Sequence, residues 1–113
     1  MKYTMNLAPS PFKVIAEGKK TVEMRLYDER RVGIRVGDEI EFENIETHQK
    51  ILCKVINLTR FQNFFELYSH FDKSILGYAE NEVANPDDMY QYYSPDMIAK
   101  YGVVAIEIKL NRL

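Results

Sequence analysis

The sequence predicts an α+β domain: a small, mostly antiparallel, barrel-like sheet of about five strands with short flanking helices. Three observations predict it. Polar and apolar residues alternate over about five separate stretches, the period-two signature of half-buried strands. The helical stretches are short and bounded by Pro and Gly. Strands and helices do not alternate strictly, which argues against a parallel doubly wound sheet. With 113 residues the chain has the size of one compact unit, so 1–113 reads as a single domain.

The elements follow in order. Residues 2–7 alternate and open the chain with a strand. Ser10 is a good helix cap and Pro11 suits the first helical position, so a helix is expected over 11–17. Phe12, Ile15 and Ala16 share one face of it, and Gly18 can take the left-handed conformation that ends it. Residues 20–27 alternate cleanly. Val22, Met24 and Leu26 point one way, toward the core, and Thr21, Glu23, Arg25 and Tyr27 point the other. A charged loop at 28–37 leads to a strand in which Ile40 and Phe42 alternate with Glu39, Glu41 and Glu43. A polar turn at 44–49 precedes residues 50–58, apolar on both faces, which fits a central strand covered on two sides. Thr59 and Gln62 have capping-box spacing, and Phe61, Phe64, Phe65, Tyr68 and Phe71 recur at helical intervals, so a helix is expected over 60–70. Residues 72–93 are irregular. Ser94-Pro95-Asp96 opens a last short helix stopped by Gly102, and 103–110 form the final strand.

Composition excludes several classes. The lone Cys53 permits no intramolecular disulfide and no thiolate metal cluster. It reads as a small buried hydrophobe. His48 and His70 have no metal-ligand spacing, no glycine-rich phosphate loop exists, and neither metal nor cofactor is expected. No apolar run reaches the length of a membrane span, and the N-terminus shows no apolar signal core, so a cytoplasmic protein is expected. Net charge is −2, but the halves differ: residues 1–60 carry 11 Lys/Arg against 9 Asp/Glu, and 61–113 carry 4 against 8. That rules against a broad phosphate-coating surface. Within 13–35, seven basic residues stand against four acidic ones, which leaves room for a local anion site.

Chemistry concentrates in Gly18-Lys19-Lys20-Thr21-Val22-Glu23-Met24-Arg25. Glu23 and Arg25 at i, i+2 lie side by side on one strand face, about 7 Å apart at their α-carbons. They form either an ion pair on an exposed sheet or the wall of a polar cleft. In a cleft, Arg25 and a lysine would grip phosphate or carboxylate, and Glu23 would hydrogen-bond a base edge or move a proton. Strict alternation places Lys20 on the opposite face from Glu23.

The run Ile15 to Arg25, followed by Val36-Gly37-Asp38-Glu39-Ile40-Glu41-Phe42, then a Phe-rich helix, a Tyr-Tyr pair and Tyr101-Gly102-Val-Val-Ala-Ile-Glu-Ile, resembles the ASCH domain. That family is similar in fold to the PUA domain, a β-barrel flanked by helices that recognises RNA. The resemblance implies a cleft beside the motif that binds RNA or a small nucleotide-like ligand, with Lys20, Thr21, Glu23, Arg25 and Tyr27 as binding residues. Tyr92, Tyr93 and Tyr101 are stacking candidates. Some bacterial members are amidohydrolases that deacylate N4-acetylcytidine with a lysine, a threonine and a glutamate, and a ribonuclease has also been described. Lys20 matches that lysine, and Thr21 the threonine directly after it. Glu23 stands where the nucleophilic threonine would be, and Glu80 or Glu82 could supply the glutamate. If the protein is an enzyme, Lys20 and Glu23 are its catalytic pair, but turnover of N4-acetylcytidine is expected to be weak or absent. A protein-interaction module with a vestigial cleft is a third reading.

Overall fold

The computed structural model describes residues 1–111. Its strands are β1 (Lys2–Leu7), β2 (Val22–Leu26), β3 (Glu39–Asn44), β4 (Lys50–Phe61) and β5 (Val103–Leu110), and its helices are α1 (Pro9–Ala16), α2 (Phe64–His70) and α3 (Pro95–Tyr101). A short 3₁₀ helix spans Pro86–Gln91. The five strands form one sheet in the order β1-β3-β4-β5-β2, antiparallel except for the parallel β1–β3 pair. The edge strands β1 and β2 are farthest apart in that order, yet Arg25 Nη2 on β2 donates to the Asn6 carbonyl on β1 at 3.1 Å. The sheet therefore curls into a half-barrel, and a side chain bridges its open seam.

Curling divides the apolar residues into two cores. The concave side holds Met5, Leu7, Ile40, Phe42, Cys53, Val55, Val104, Ile106 and Ile108, closed by Phe12 and Ile15 of α1. The convex side of β2 and β5 holds Val22, Met24, Leu26, Val103 and Ala105 beneath Phe64, Leu67, Met89 and Ile98. β5 is the strand buried on both faces, since Val103 to Ile106 are almost wholly enclosed. This corrects the expectation for 50–58. β4 is an interior strand, but Ile56 is 50% exposed where the pairing with β5 shifts between Val55 and Asn57. A bulge there leaves one residue unpaired and turns it outward.

Two helix starts also differ from expectation. α1 begins at Pro9, with Ala8 in the cap position and no side-chain cap; Phe12 N–H donates to the Ala8 carbonyl at 3.1 Å. Pro9 takes the first turn, where its fixed φ fits and its missing N–H is harmless, so Ser10 lies inside the helix. β4 runs through Phe61, and Thr59 pairs with Ala105, Arg60 with Val104 and Phe61 with Val103. Ladder bonds at three residues outweigh two capping bonds, so the Thr59–Gln62 box does not form. Asn63 caps α2 instead, accepting from Glu66 N–H at 2.9 Å, while Glu66 reaches back to Gln62 N–H at 3.2 Å. The stop at Gly102 is as expected: its φ is 70° and ψ −173°.

A β-carbon at Gly102 would meet the Phe61 carbonyl at 3.0 Å, in a backbone region that essentially only glycine enters. Gly102→Ala is expected to lower unfolding stability by about 2–3 kcal/mol in urea titration. Gly33→Ala, which meets only the far end of the Tyr3 side chain at 3.3 Å, is expected to cost less.

Candidate functional site

On β2, Glu23 pairs with Ile106 and Arg25 with Val104, and both partners belong to the concave core. The polar row of β2 therefore faces the inside of the half-barrel, at its seam. Burial pushes the Cys53 thiol up to about 11, and the Glu23 charge adds to that shift. The alternation of Val22, Met24 and Leu26 against Glu23 and Arg25 is as expected, but neither face is exposed.

Glu23 is 3% exposed. Arg25 Nε and Nη2 donate to its Oε2 at 3.0 and 2.8 Å. Lys20 Nζ lies 3.1 Å from Oε1, which also accepts from Met24 N–H at 3.2 Å. Burial alone would raise the carboxyl. Lys20 and Arg25 outweigh it and hold Glu23 at about 2. Burial likewise disfavours the Arg25 charge, and Glu23, with a smaller contribution from Tyr93, reverses that and raises it. Two cations thus surround one carboxylate, and Glu82 and Asp88 also line the pocket, so its walls carry both signs of charge. Among the described residues Lys20 Nζ has no acceptor besides Glu23, so it keeps donors for a ligand.

Lys20 escapes the alternation because it lies before the strand. The turn after α1 is tied by Lys19 N–H and Lys20 N–H, both to the Val14 carbonyl at 3.0 Å. Gly77 then packs on the Lys20 stem: a β-carbon there would fall 2.9 Å from Lys20 Cδ, and its φ is +104°. Gly77 thus holds the lysine against Glu23 from the far side.

These groups line a pocket of about 360 Å³ between the end of β1, the start of α1, β2 and the segment 76–93. Lys20, Glu23 and Arg25 are brought together there. Thr21 and Tyr27 do not line it. Thr21 is held by backbone bonds, its N–H to the Ile75 carbonyl and its carbonyl from Ile108 N–H. Tyr27 packs against the concave core with the Arg60 guanidinium 4.1 Å over its ring. Of the stacking candidates, Tyr92 and Tyr93 line the pocket and Tyr101 lies outside it. Glu82 lines the pocket, with Oε1 engaged by Ala79 N–H, and Glu80 does not. The basic excess of 13–35 is dispersed: Lys20 and Arg25 enter the pocket, Arg31 is bound to Asp28 at 3.0 Å, and Lys19 pairs with Glu17 at 3.6 Å.

Sequence reasoning missed the opposite wall. Tyr78 OH donates to Asp88 Oδ2 at 2.8 Å and shares a 2.8 Å hydrogen bond with Tyr68 OH. Burial, with Tyr68 and Asp88 adding, pushes the Tyr78 phenol far up, so it stays a neutral donor. In the sequence Tyr68 belongs to an apolar helix stripe, and the irregular 72–93 segment has no periodicity to mark Tyr78 or Asp88.

The structure is thus a half-barrel with a pocket of mixed charge at its open seam. The sequence matches the ASCH domain over residues 5–112, and the chain belongs to that family, which is associated with RNA binding. The crystal structure of hypothetical protein PH0355 is similar at 32% identity and a TM-score of 0.82, over 98% of this chain and 100% of that one. The solution structure of protein PF0455 from Pyrococcus furiosus is similar at 30% identity and a TM-score of 0.71, over 100% of both chains. The ASCH domain from Lactobacillus crispatus JV V101 shares the fold at 12% identity and a TM-score of 0.67, over 96% of this chain and 79% of that one. No curated protein matches the sequence. No helix among the described residues is long and apolar enough to cross a membrane, and no cluster there could hold a metal ion.

The Glu23 shift has a sign. Its folded pKa of about 2 lies below the ordinary 4.5, so its stabilisation is full above about pH 5 and fades as pH falls toward 2. The shift corresponds to about 3 kcal/mol. Glu23→Gln leaves two buried cations uncompensated and is expected to cost about 3–5 kcal/mol at pH 7. The difference in stability between the two proteins should shrink between pH 5 and 2, as read by denaturant titration at each pH.

Proposed function

We propose that the pocket binds a single nucleotide unit, with Lys20 and Arg25 holding a phosphate or carbonyl oxygen and Tyr92 offering a face for stacking. The carrying observation is the complete engagement of Glu23. Both its oxygens are taken by Lys20, Arg25 and the Met24 N–H, so it acts as the counter-ion that sets two cations at the pocket wall. Lys20 and Arg25 sit where solvent screens them little, while the acids across the pocket, Glu82 and Asp88, are engaged by Ala79 N–H and Tyr78 OH, so the two cations are the groups placed to hold a phosphate or carbonyl oxygen. A volume of about 360 Å³ suits a small organic ligand. The family's association with RNA makes the nucleotide the natural choice among anions.

The same observation weighs against hydrolysis driven by Glu23. A carboxylate held at about 2 takes up a proton poorly near neutral pH, and it cannot serve as a hydroxyl nucleophile. Binding is therefore the reading the geometry supports best.

Calorimetric titration with 5′-nucleoside monophosphates and the matching nucleosides tests it. Monophosphates are expected to bind at least about tenfold tighter than nucleosides, since a charge-assisted contact is worth roughly 1.5–3 kcal/mol. Lys20→Gln, confirmed folded by circular dichroism, should abolish most of that difference, whereas Arg30→Ala on the exposed loop should not. Equal losses in both variants would reduce the binding to non-specific charge. Incubation with N4-acetylcytidine should release no cytidine; steady turnover would favour the hydrolase.

A further inference from the structure

We infer that the far wall of the pocket, built from Tyr68, Tyr78 and Asp88, reads an amino group. The site then selects nucleotides whose base carries an exocyclic amine over those that carry an oxygen in its place. This inference rests on the nucleotide reading of the pocket and deepens it to a class of base.

The direction of two hydrogen bonds carries it. An ionised carboxylate can only accept, so the 2.8 Å contact between Tyr78 and Asp88 takes the Tyr78 hydroxyl proton to Asp88 Oδ2. A phenol has one proton to give. The 2.8 Å contact between the two tyrosines is therefore donated by Tyr68, and the chain runs from Tyr68 to Tyr78 to Asp88. In the opposite direction, lone pairs would face each other across the Tyr78–Asp88 contact. The Tyr68 oxygen is left with lone pairs and no proton. Asp88 Oδ1 receives no donor among the described residues. Glu82, on the same side, has one oxygen held by Ala79 N–H and is likewise an acceptor.

The pocket is thus polarised. Lys20 and Arg25 offer donors on one wall, where both oxygens of Glu23 are already taken. Tyr68, Asp88 and Glu82 offer acceptors on the other. A ligand that satisfies both walls accepts at one end and donates at the other. A nucleotide held at Lys20 and Arg25 by its phosphate or a carbonyl meets the acceptors with its base. Cytosine and adenine bring an amine with two N–H groups. Uracil and hypoxanthine bring an oxygen to the same place, and its lone pairs oppose those of Asp88. A site built to hydrogen-bond one group rejects an analogue that leaves it unpaired.

The wall is held in place before any ligand arrives. The Tyr68 and Tyr78 rings pack edge-on with centroids 5.9 Å apart. Asn85 caps the 3₁₀ helix that carries Asp88, accepting from Asp87 N–H at 3.0 Å. Lys73 Nζ ties the intervening loop by the carbonyls of Glu80 and Glu82. Asp88 is solvent-exposed, which sets the expected discrimination at the lower end for a charge-assisted contact.

Calorimetric titration with two pairs of 5′-monophosphates tests the inference: cytidylate against uridylate, and adenylate against inosinate. The amino member of each pair is expected to bind about tenfold tighter. Asp88→Asn keeps one oxygen for Tyr78 and replaces the other by an amide N–H₂. The preference should then fall to parity or turn toward the oxo bases, with uridylate binding retained as evidence of an intact site. Tyr68→Phe removes one acceptor and should reduce the preference about threefold. Asp87→Asn removes the same charge one residue away, outside the pocket lining, and should leave the preference intact. Equal affinity within both pairs, or a preference that survives Asp88→Asn, overturns the inference while the nucleotide reading stands. If no monophosphate binds, the nucleotide reading falls and the amine reading falls with it.

Discussion

A carboxylate turned into the inside of a curled sheet loses several kcal/mol of hydration unless cations are buried with it. Glu23 sits under that constraint, and much of the architecture around the seam follows from it. Arg25 must lie two residues along the strand, so that its fork meets one carboxylate oxygen while its Nη2 reaches across to Asn6. Lys20 must come from the turn before the strand to meet the other oxygen, which requires the α1–β2 turn to close at Gly18 and Gly77 to leave room for the lysine stem. The carboxylate is thus the organiser of the site. The cations it gathers are the groups that meet a ligand.

Arg25 also joins edge strands that share no ladder. A bond from its guanidinium to a β1 carbonyl stands at the place where a fully closed barrel would have backbone pairs. The seam stays open, and the opening is the pocket mouth. The segment 72–93 covers the far side without regular structure, held by Tyr78 to Asp88, Tyr68 to Tyr78, and Lys73 Nζ to the carbonyls of Glu80 and Glu82. Stability and site are therefore coupled: Arg25 both bridges the sheet edges and shapes the cavity.

The elements with strong local signals were legible in the sequence. β2 alternates, Gly18 and Gly102 end helices with positive φ, Ser94 caps α3, and Lys20, Glu23 and Arg25 stand in one short motif. Each of these depends on residues close together in the chain. The helix starts were misread where two local signals competed. Pro9 and Pro11 could each open α1, and the 59–62 stretch could cap a helix or extend a strand. In the second case the ladder to β5 decided, and β5 lies more than forty residues away.

What the sequence determined by itself was the periodicity of the strands, the stops between them and the residue types at the motif, because these rest on backbone sterics and on neighbours within a few positions. The tertiary structure alone decided that the polar face of β2 looks inward. Alternation separates two faces but does not say which face a curled sheet will enclose. It also decided that Lys20 joins Glu23, since that contact depends on the path of a turn. It placed Tyr68, Tyr78 and Asp88 opposite the motif, since a segment without periodicity carries no local mark of where it packs. Tyr27 went to the concave core beneath Arg60 and Tyr101 to the end of α3 outside the pocket for the same reason: the curl of the sheet, a property of all five strands together, sets which side chains converge.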